Sequence, residues 1–230
     1  MTISNESRTR VKKAFEPIAL GMGRLGLTPD ALTLIGFAIT VAGAVLVSQQ
    51  LWLPGGLVIL FGGVFDMFDG TLARATGKVS NLGAFMDSVF DRAGEVIVYL
   101  GVVAGLQAVG IADGTLLAAA ALGSAVMVSY VRAKSEGLGF THAAGMAAIG
   151  LMPREVRLVI LSIGLILAGL LGTGPNNASC PTCVGGGAFG IGASALFLAL
   201  AIITVGSVFT VIQRILHVRS QAKRQSTETH

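Results

Sequence analysis

The chain has 230 residues, 53% of them hydrophobic and only 12% charged, with a mean hydropathy of +0.78. A soluble domain carries about 25% charged residues, so the composition excludes an ordinary soluble fold and points to a membrane. The 32 glycines suit helices that approach one another closely where packing, not hydrophobicity, holds them together.

Residues 1–29 are expected to form a cytoplasmic segment whose start, "MTISNESRTRVKK", is polar and is not followed by a short apolar run with a cleavage site, so no removable leader is expected. Val11, Phe15, Ile18 and Met22 recur at helical spacing there, with Arg8, Lys12 and Lys13 off the stripe. This pattern predicts an N-terminal interfacial amphipathic helix, kinked at Pro17. Six stretches long and apolar enough to span follow, at 30–50, 53–75, 82–109, 113–133, 156–174 and 188–213. The expected fold is all-α: an integral membrane six-helix transmembrane bundle over 30–217, with a cytoplasmic tail at 218–230.

The 16 basic residues set the orientation. Arg8, Arg10, Lys12, Lys13 and Arg24 precede the first span, Arg74, Lys78 and Arg92 flank the turn between the second and third, and Arg132, Lys134, Arg154 and Arg157 flank the segment between the fourth and fifth. Arg214, Arg219, Lys223 and Arg224 close the chain, and no basic residue falls in a predicted outer loop. Both termini are therefore expected in the cytoplasm, and the net charge of +4 reflects a face suited to anionic headgroups and phosphorylated substrates, not to nucleic acid. Cys180 and Cys183 share an outer loop; two cysteines do not complete a zinc set, and they read as structural or incidental.

The stretch "DMFDGTLARATGKVSNLGAFMDSVFD" places Asp66 and Asp69 near the inner end of the second span and Asp87 and Asp91 near the start of the third. A carboxylate in such a helix costs roughly 2.5 to 3.5 kcal/mol on insertion scales, so something must offset four of them. Spacings of three and four put each pair on one helix face, and a short turn with Gly77 brings the pairs together. Converging hard oxygen ligands suit a divalent cation, magnesium, manganese or calcium. Gly70, Ala73 and Gly83 leave room for a ligand against the backbone, and Arg74 offers a planar fork for phosphate. Metal, arginine and space between helices are what a pyrophosphate-containing substrate needs.

The run Asp66-x-x-Asp69-Gly70-x-x-Ala73-Arg74, eight residues, then Gly83-x-x-x-Asp87-x-x-x-Asp91 resembles the signature of the CDP-alcohol phosphotransferases at all eight of its fixed positions. The resemblance implies a homodimeric integral membrane enzyme that moves a phosphatidyl-type group from a CDP-lipid donor to an alcohol and releases CMP. It implies that Asp66, Asp69 and Asp87 bind two metal ions, magnesium or manganese, with Asp91 as general base in contact with metal. Gly70, Ala73, Arg74 and Gly83 would hold the CDP moiety.

Three further stretches, "SYVRAKSEG", "MPREVRL" and "VIQRIL", resemble those of the phosphatidylinositol-phosphate synthases of actinobacteria and the related archaeal enzymes. That likeness implies an acceptor-phosphate pocket of Ser129, Arg132, Lys134, Arg154, Arg157 and Arg214, and, through "GLTPDALTLIG", places Asp30 and Thr33 on the nucleotide side. Inositol 1-phosphate is the expected acceptor. Two departures, Arg132 before Lys134 and no glutamate before Arg154, keep glycerol 3-phosphate as the alternative. A transporter is the remote alternative, disfavoured because the acids cluster at one face and no second copy of the motif exists.

Overall fold

The computed structural model describes residues 17, 18, 20–140, 150–172 and 190–228, without the side chains of 224–228. All regular structure among these residues is helical: α1 Pro29–Ser48, α2 Trp52–Phe65, α3 Met67–Ala75, α4 Asn81–Ala108, α5 Ala112–Gly137, α6 Arg154–Leu171 and α7 Ile191–Glu228. Among the described residues, four helical segments are long and apolar enough to cross a membrane: 29–48, 52–75, 112–137 and 191–223. The other two long helices concentrate charge at their starts, Asp87, Asp91, Arg92 and Glu95 in α4 and Arg154, Glu155 and Arg157 in α6.

The expected second span, 53–75, is two helices, α2 and α3, which meet at a turn on Asp66. The last expected span runs on as one helix to Glu228, with no boundary near 213. Val11 and Phe15 of the expected interfacial helix, like Cys180 and Cys183, lie outside the described residues. Residues 20–24 are helical, and Met22 packs against the cluster of Leu32, Phe65, Phe68 and Leu72.

Local signals account for the helix starts that matter. Thr28 caps α1 by accepting from the Ala31 N–H at 3.2 Å, with Pro29 in the first turn, where its missing N–H is no loss. Ser80 caps α4 by accepting from the Gly83 N–H at 2.9 Å. Between them α3 ends in a Schellman motif: Lys78 N–H donates to the Ala73 carbonyl at 2.9 Å and Gly77 takes a φ of +66°, which glycine adopts without strain. That stop turns the chain back and makes α3–α4 a hairpin.

The helices close into a ring in the order α1, α2, α6, α7, α5, α4, each packed on the next and α4 on α1. Close approach sets the α1–α4 seam: a Cβ on Gly101 would stand 2.5 Å from the Ala44 carbonyl oxygen, so only glycine fits. The main core, including Trp52, Tyr99, Leu106, Leu165, Leu196 and Leu200, fills the ring. The smaller cluster of Leu32, Phe65, Phe68 and Leu72 lies under the α2–α3 turn, where Phe65 and Phe68 meet edge to face at 5.8 Å. It seats the turn that carries Asp66 and Asp69.

Candidate active site

The α2–α3 turn and the first turns of α4 bring together residues far apart in type from their surroundings. Carboxylate oxygens of Asp66, Asp69 and Asp87 all lie within 4.8 Å of one another. Asp69 is buried and fixed from two sides: its Oδ2 accepts from the Thr33 hydroxyl of α1 at 2.6 Å, and its Oδ1 accepts from the Gly70 N–H. Thr33 is itself buried and also reaches the Pro29 carbonyl at 3.2 Å, so α1 helps aim the second aspartate. Three carboxylates at this separation are a hard, anionic donor set that fits a divalent cation of the magnesium or manganese type.

Asp91 takes a different partner. Arg154, at the start of α6, donates from Nη1 to Asp66 Oδ2 at 2.7 Å and places the same nitrogen 2.5 Å from Asp91 Oδ1. One turn further along both helices, Arg157 forms a fork with Glu95: Nε donates to Oε1 at 2.7 Å and Nη2 to Oε2 at 2.9 Å. Arg157 Nη1 also donates to the Met152 carbonyl at 2.7 Å, and its side chain is only 1% exposed. Since α4 and α6 stand on opposite sides of the ring, these two ion pairs cross its interior. Beneath them lies a cavity of about 20 Å³ lined by Thr40, Glu95, Tyr99, Arg154 and Arg157 among others, room for about one water.

Of the residues expected on the nucleotide side, Thr33 holds Asp69, and Asp30, Gly70, Ala73, Arg74 and Gly83 lie on α1, α3 and α4. Asp30 is exposed, and a Cβ on Gly83 would lie 3.5 Å from its Oδ1. A Cβ on Gly70 would lie 3.3 Å from Arg74 Nη1, so the glycine leaves space beside an exposed guanidinium. Ala73 is half-buried between Leu72 and Arg74.

The expected acceptor residues divide into two groups. Arg154 and Arg157 of α6 point at acids inside the ring. Ser129, Arg132 and Lys134 of α5 and Arg214 of α7 form the other: Arg214 Nη1 donates to the Val128 carbonyl at 2.6 Å, next to Ser129. Ser129 bonds its own helix at Ala125, Arg132 pairs with Glu136 of the same helix at 2.9 Å, and Lys134 is exposed.

Sequence reasoning passed over Glu95 and Tyr99. The signal was present: Asp87, Asp91, Glu95 and Tyr99 recur every four residues and extend one face of α4 from the acid cluster into the core.

A family model described as CDP-alcohol phosphatidyltransferase matches residues 26–218. The chain is 36% identical over 156 residues to an archaetidylinositol phosphate synthase of Pyrococcus horikoshii, covering 68% of this chain and 78% of that one. It is 31% identical over 233 residues to a phosphatidylinositol phosphate synthase of Streptomyces avermitilis, covering 99% of this chain and 86% of that one. Among solved structures it is similar to the Mycobacterium tuberculosis phosphatidylinositol phosphate synthase with CDP-DAG bound, with a TM-score of 0.71, 29% identity and coverage of 90% and 94%. The same mycobacterial enzyme in complex with manganese and citrate also matches, with a TM-score of 0.71, 29% identity and coverage of 89% and 88%.

Proposed function

This chain belongs to the CDP-alcohol phosphatidyltransferase family, and we propose from that membership that it transfers a phosphatidyl group from CDP-diacylglycerol to inositol 1-phosphate, releasing CMP. It is an enzyme of phospholipid biosynthesis. The observation that carries the reading is the convergence of Asp66, Asp69 and Asp87 within 4.8 Å, with Asp91 one turn on, at the positions of the family signature.

The roles follow from position and chemistry. Asp66, Asp69 and Asp87 hold the divalent cation, and we assign two ions of magnesium or manganese to the cluster. A bound cation supplies neutralisation of the charge that develops on the pyrophosphate as CMP departs. The Asp91 carboxylate takes the proton of the acceptor hydroxyl as its oxygen bonds to the phosphorus bearing the diacylglycerol. The bond from that phosphorus to the CMP oxygen breaks, and CMP leaves with the electron pair. Asp30, Thr33, Gly70, Ala73, Arg74 and Gly83 flank the CDP moiety, Thr33 through its grip on Asp69. Ser129, Arg132, Lys134, Arg154, Arg157 and Arg214 supply positive and polar groups for the acceptor's phosphate.

The membrane arrangement is part of the same proposal. The six long helical segments span, with the acid cluster and both termini on the cytoplasmic side and the unit 30–217 as one catalytic domain. The enzyme acts as a homodimer, with the Gly- and Ala-rich faces of α4 and α5 as the pairing surface.

The test is CMP release by purified protein from CDP-diacylglycerol with magnesium or manganese, comparing inositol 1-phosphate, glycerol 3-phosphate, free inositol and serine. Release with inositol 1-phosphate alone supports the reading. Release with glycerol 3-phosphate alone retains the reaction and changes the acceptor, and no release with any acceptor overturns the assignment.

A further inference from the structure

Arg154 and Arg157 reach across the ring from one helix to another, one turn apart, yet they are held in different ways. Arg157 is gripped through three nitrogens, two on Glu95 and one on the Met152 carbonyl, and is 1% exposed. Arg154 makes both of its contacts through one nitrogen, Nη1, and its side chain is 18% exposed. A buried fork bonded at all three of its nitrogens is a fixed strut. Contacts made through one nitrogen of a partly exposed side chain are ones that another cation can replace.

The competitor has the same target. Asp66 Oδ2 accepts from Arg154, while Asp66 is also one of the three carboxylates that converge with Asp69 and Asp87. A guanidinium at 2.7 Å from Asp66 and a divalent cation on the same carboxylate repel each other across a partly dehydrated space, where charge is poorly screened. We propose that Arg154 is an exchangeable counter-ion, balancing Asp66 and Asp91 until a divalent cation enters the Asp66–Asp69–Asp87 site and displaces it from Asp66. The exchange leaves the start of α6 held to the acid helices through Asp91 alone and frees part of the Arg154 guanidinium beside the cavity it lines with Glu95 and Arg157. Arg154 is then a positioning residue whose placement reports metal occupancy. The inference rests on the reading of the three aspartates as a cation site. By linkage, the factor by which Arg154 weakens cation binding is the factor by which the cation weakens the Arg154 contact.

The experiment is a manganese titration of the purified full chain without substrate, read by the electron paramagnetic resonance of free manganese. Arg154→Gln is expected to bind manganese about tenfold more tightly than wild type, a middling coupling for linked sites, with Arg154→Lys in between. Arg92→Gln removes the same charge from the same neighbourhood, where the wild-type side chain pairs with Glu95 at 3.5 Å, and is expected to stay within about twofold, because a field effect alone is screened. Amide hydrogen exchange at 154–158 should rise on adding manganese to wild type and not in Arg154→Gln. Equal or weaker binding by Arg154→Gln overturns the proposal, as does a gain of the same size in Arg92→Gln. If Arg154→Gln does not fold, Arg154→Lys and the exchange measurement on wild type decide. Wild type that binds no manganese removes the cation-site reading itself, and the inference with it.

Discussion

The acid hairpin and the basic helix ends face each other across the same ring, but they are assembled by different means. Asp66, Asp69, Asp87 and Asp91 come from consecutive helices joined by a five-residue turn at 76–80, so helix periodicity and one Schellman stop bring them together. Arg132, Arg154, Arg157 and Arg214 come from α5, α6 and α7, and each has found a different partner: its own helix, the acid cluster, Glu95 and a backbone carbonyl. The acids are gathered at one place. Each arginine holds a separate partner, so the acceptor phosphate proposed to bind them has to compete with those partners, whereas the acids already converge.

If the comparison is right, disturbing the two regions should have effects of very different size and kind. Chelating the divalent cation should reduce CMP release to background, with recovery on adding back manganese or magnesium. Asp91→Asn should lower kcat by about a thousandfold, within the range for loss of a general base, and leave CDP-diacylglycerol binding little changed. Turnover like that of wild type would remove Asp91 from the base role. On the basic side, Glu95→Ala leaves Arg157 buried without its counter-charge and should lower stability by about 3 kcal/mol, seen in thermal unfolding of the purified protein. The double variant Glu95→Ala, Arg157→Met should recover much of that loss.

Smaller effects sharpen the contrast. Thr33→Val removes the hydroxyl that aims Asp69 and should weaken manganese binding by about tenfold, as for other residues that orient a metal ligand. Glu136→Gln weakens the exposed Arg132 pair within α5 and should change stability by less than about 0.5 kcal/mol. A large effect there would mean that Arg132 is committed as firmly as Arg157, and the distinction drawn among the arginines would fall.

The amino-acid sequence by itself determined the all-helical membrane class, the starts of the long helices to within a few residues, and the acid cluster. These depend on local quantities: apolar length, spacings of three and four, a glycine that stops α3, and a threonine or serine at a helix start. The sequence placed the turn between the second and third spans but gave no sign of the change of helix at Asp66, because an apolar run reads the same through a bend seated on Phe65 and Phe68. Nor did the distribution of cations along the chain say where each guanidinium goes. Arg154 and Arg157 both lie at the start of α6, and only the ring, which sets α6 opposite α4, decides that one meets Asp66 and Asp91 while the other meets Glu95. Periodicity along one helix is a property of the chain, whereas the partner across a ring exists only once six helices have packed.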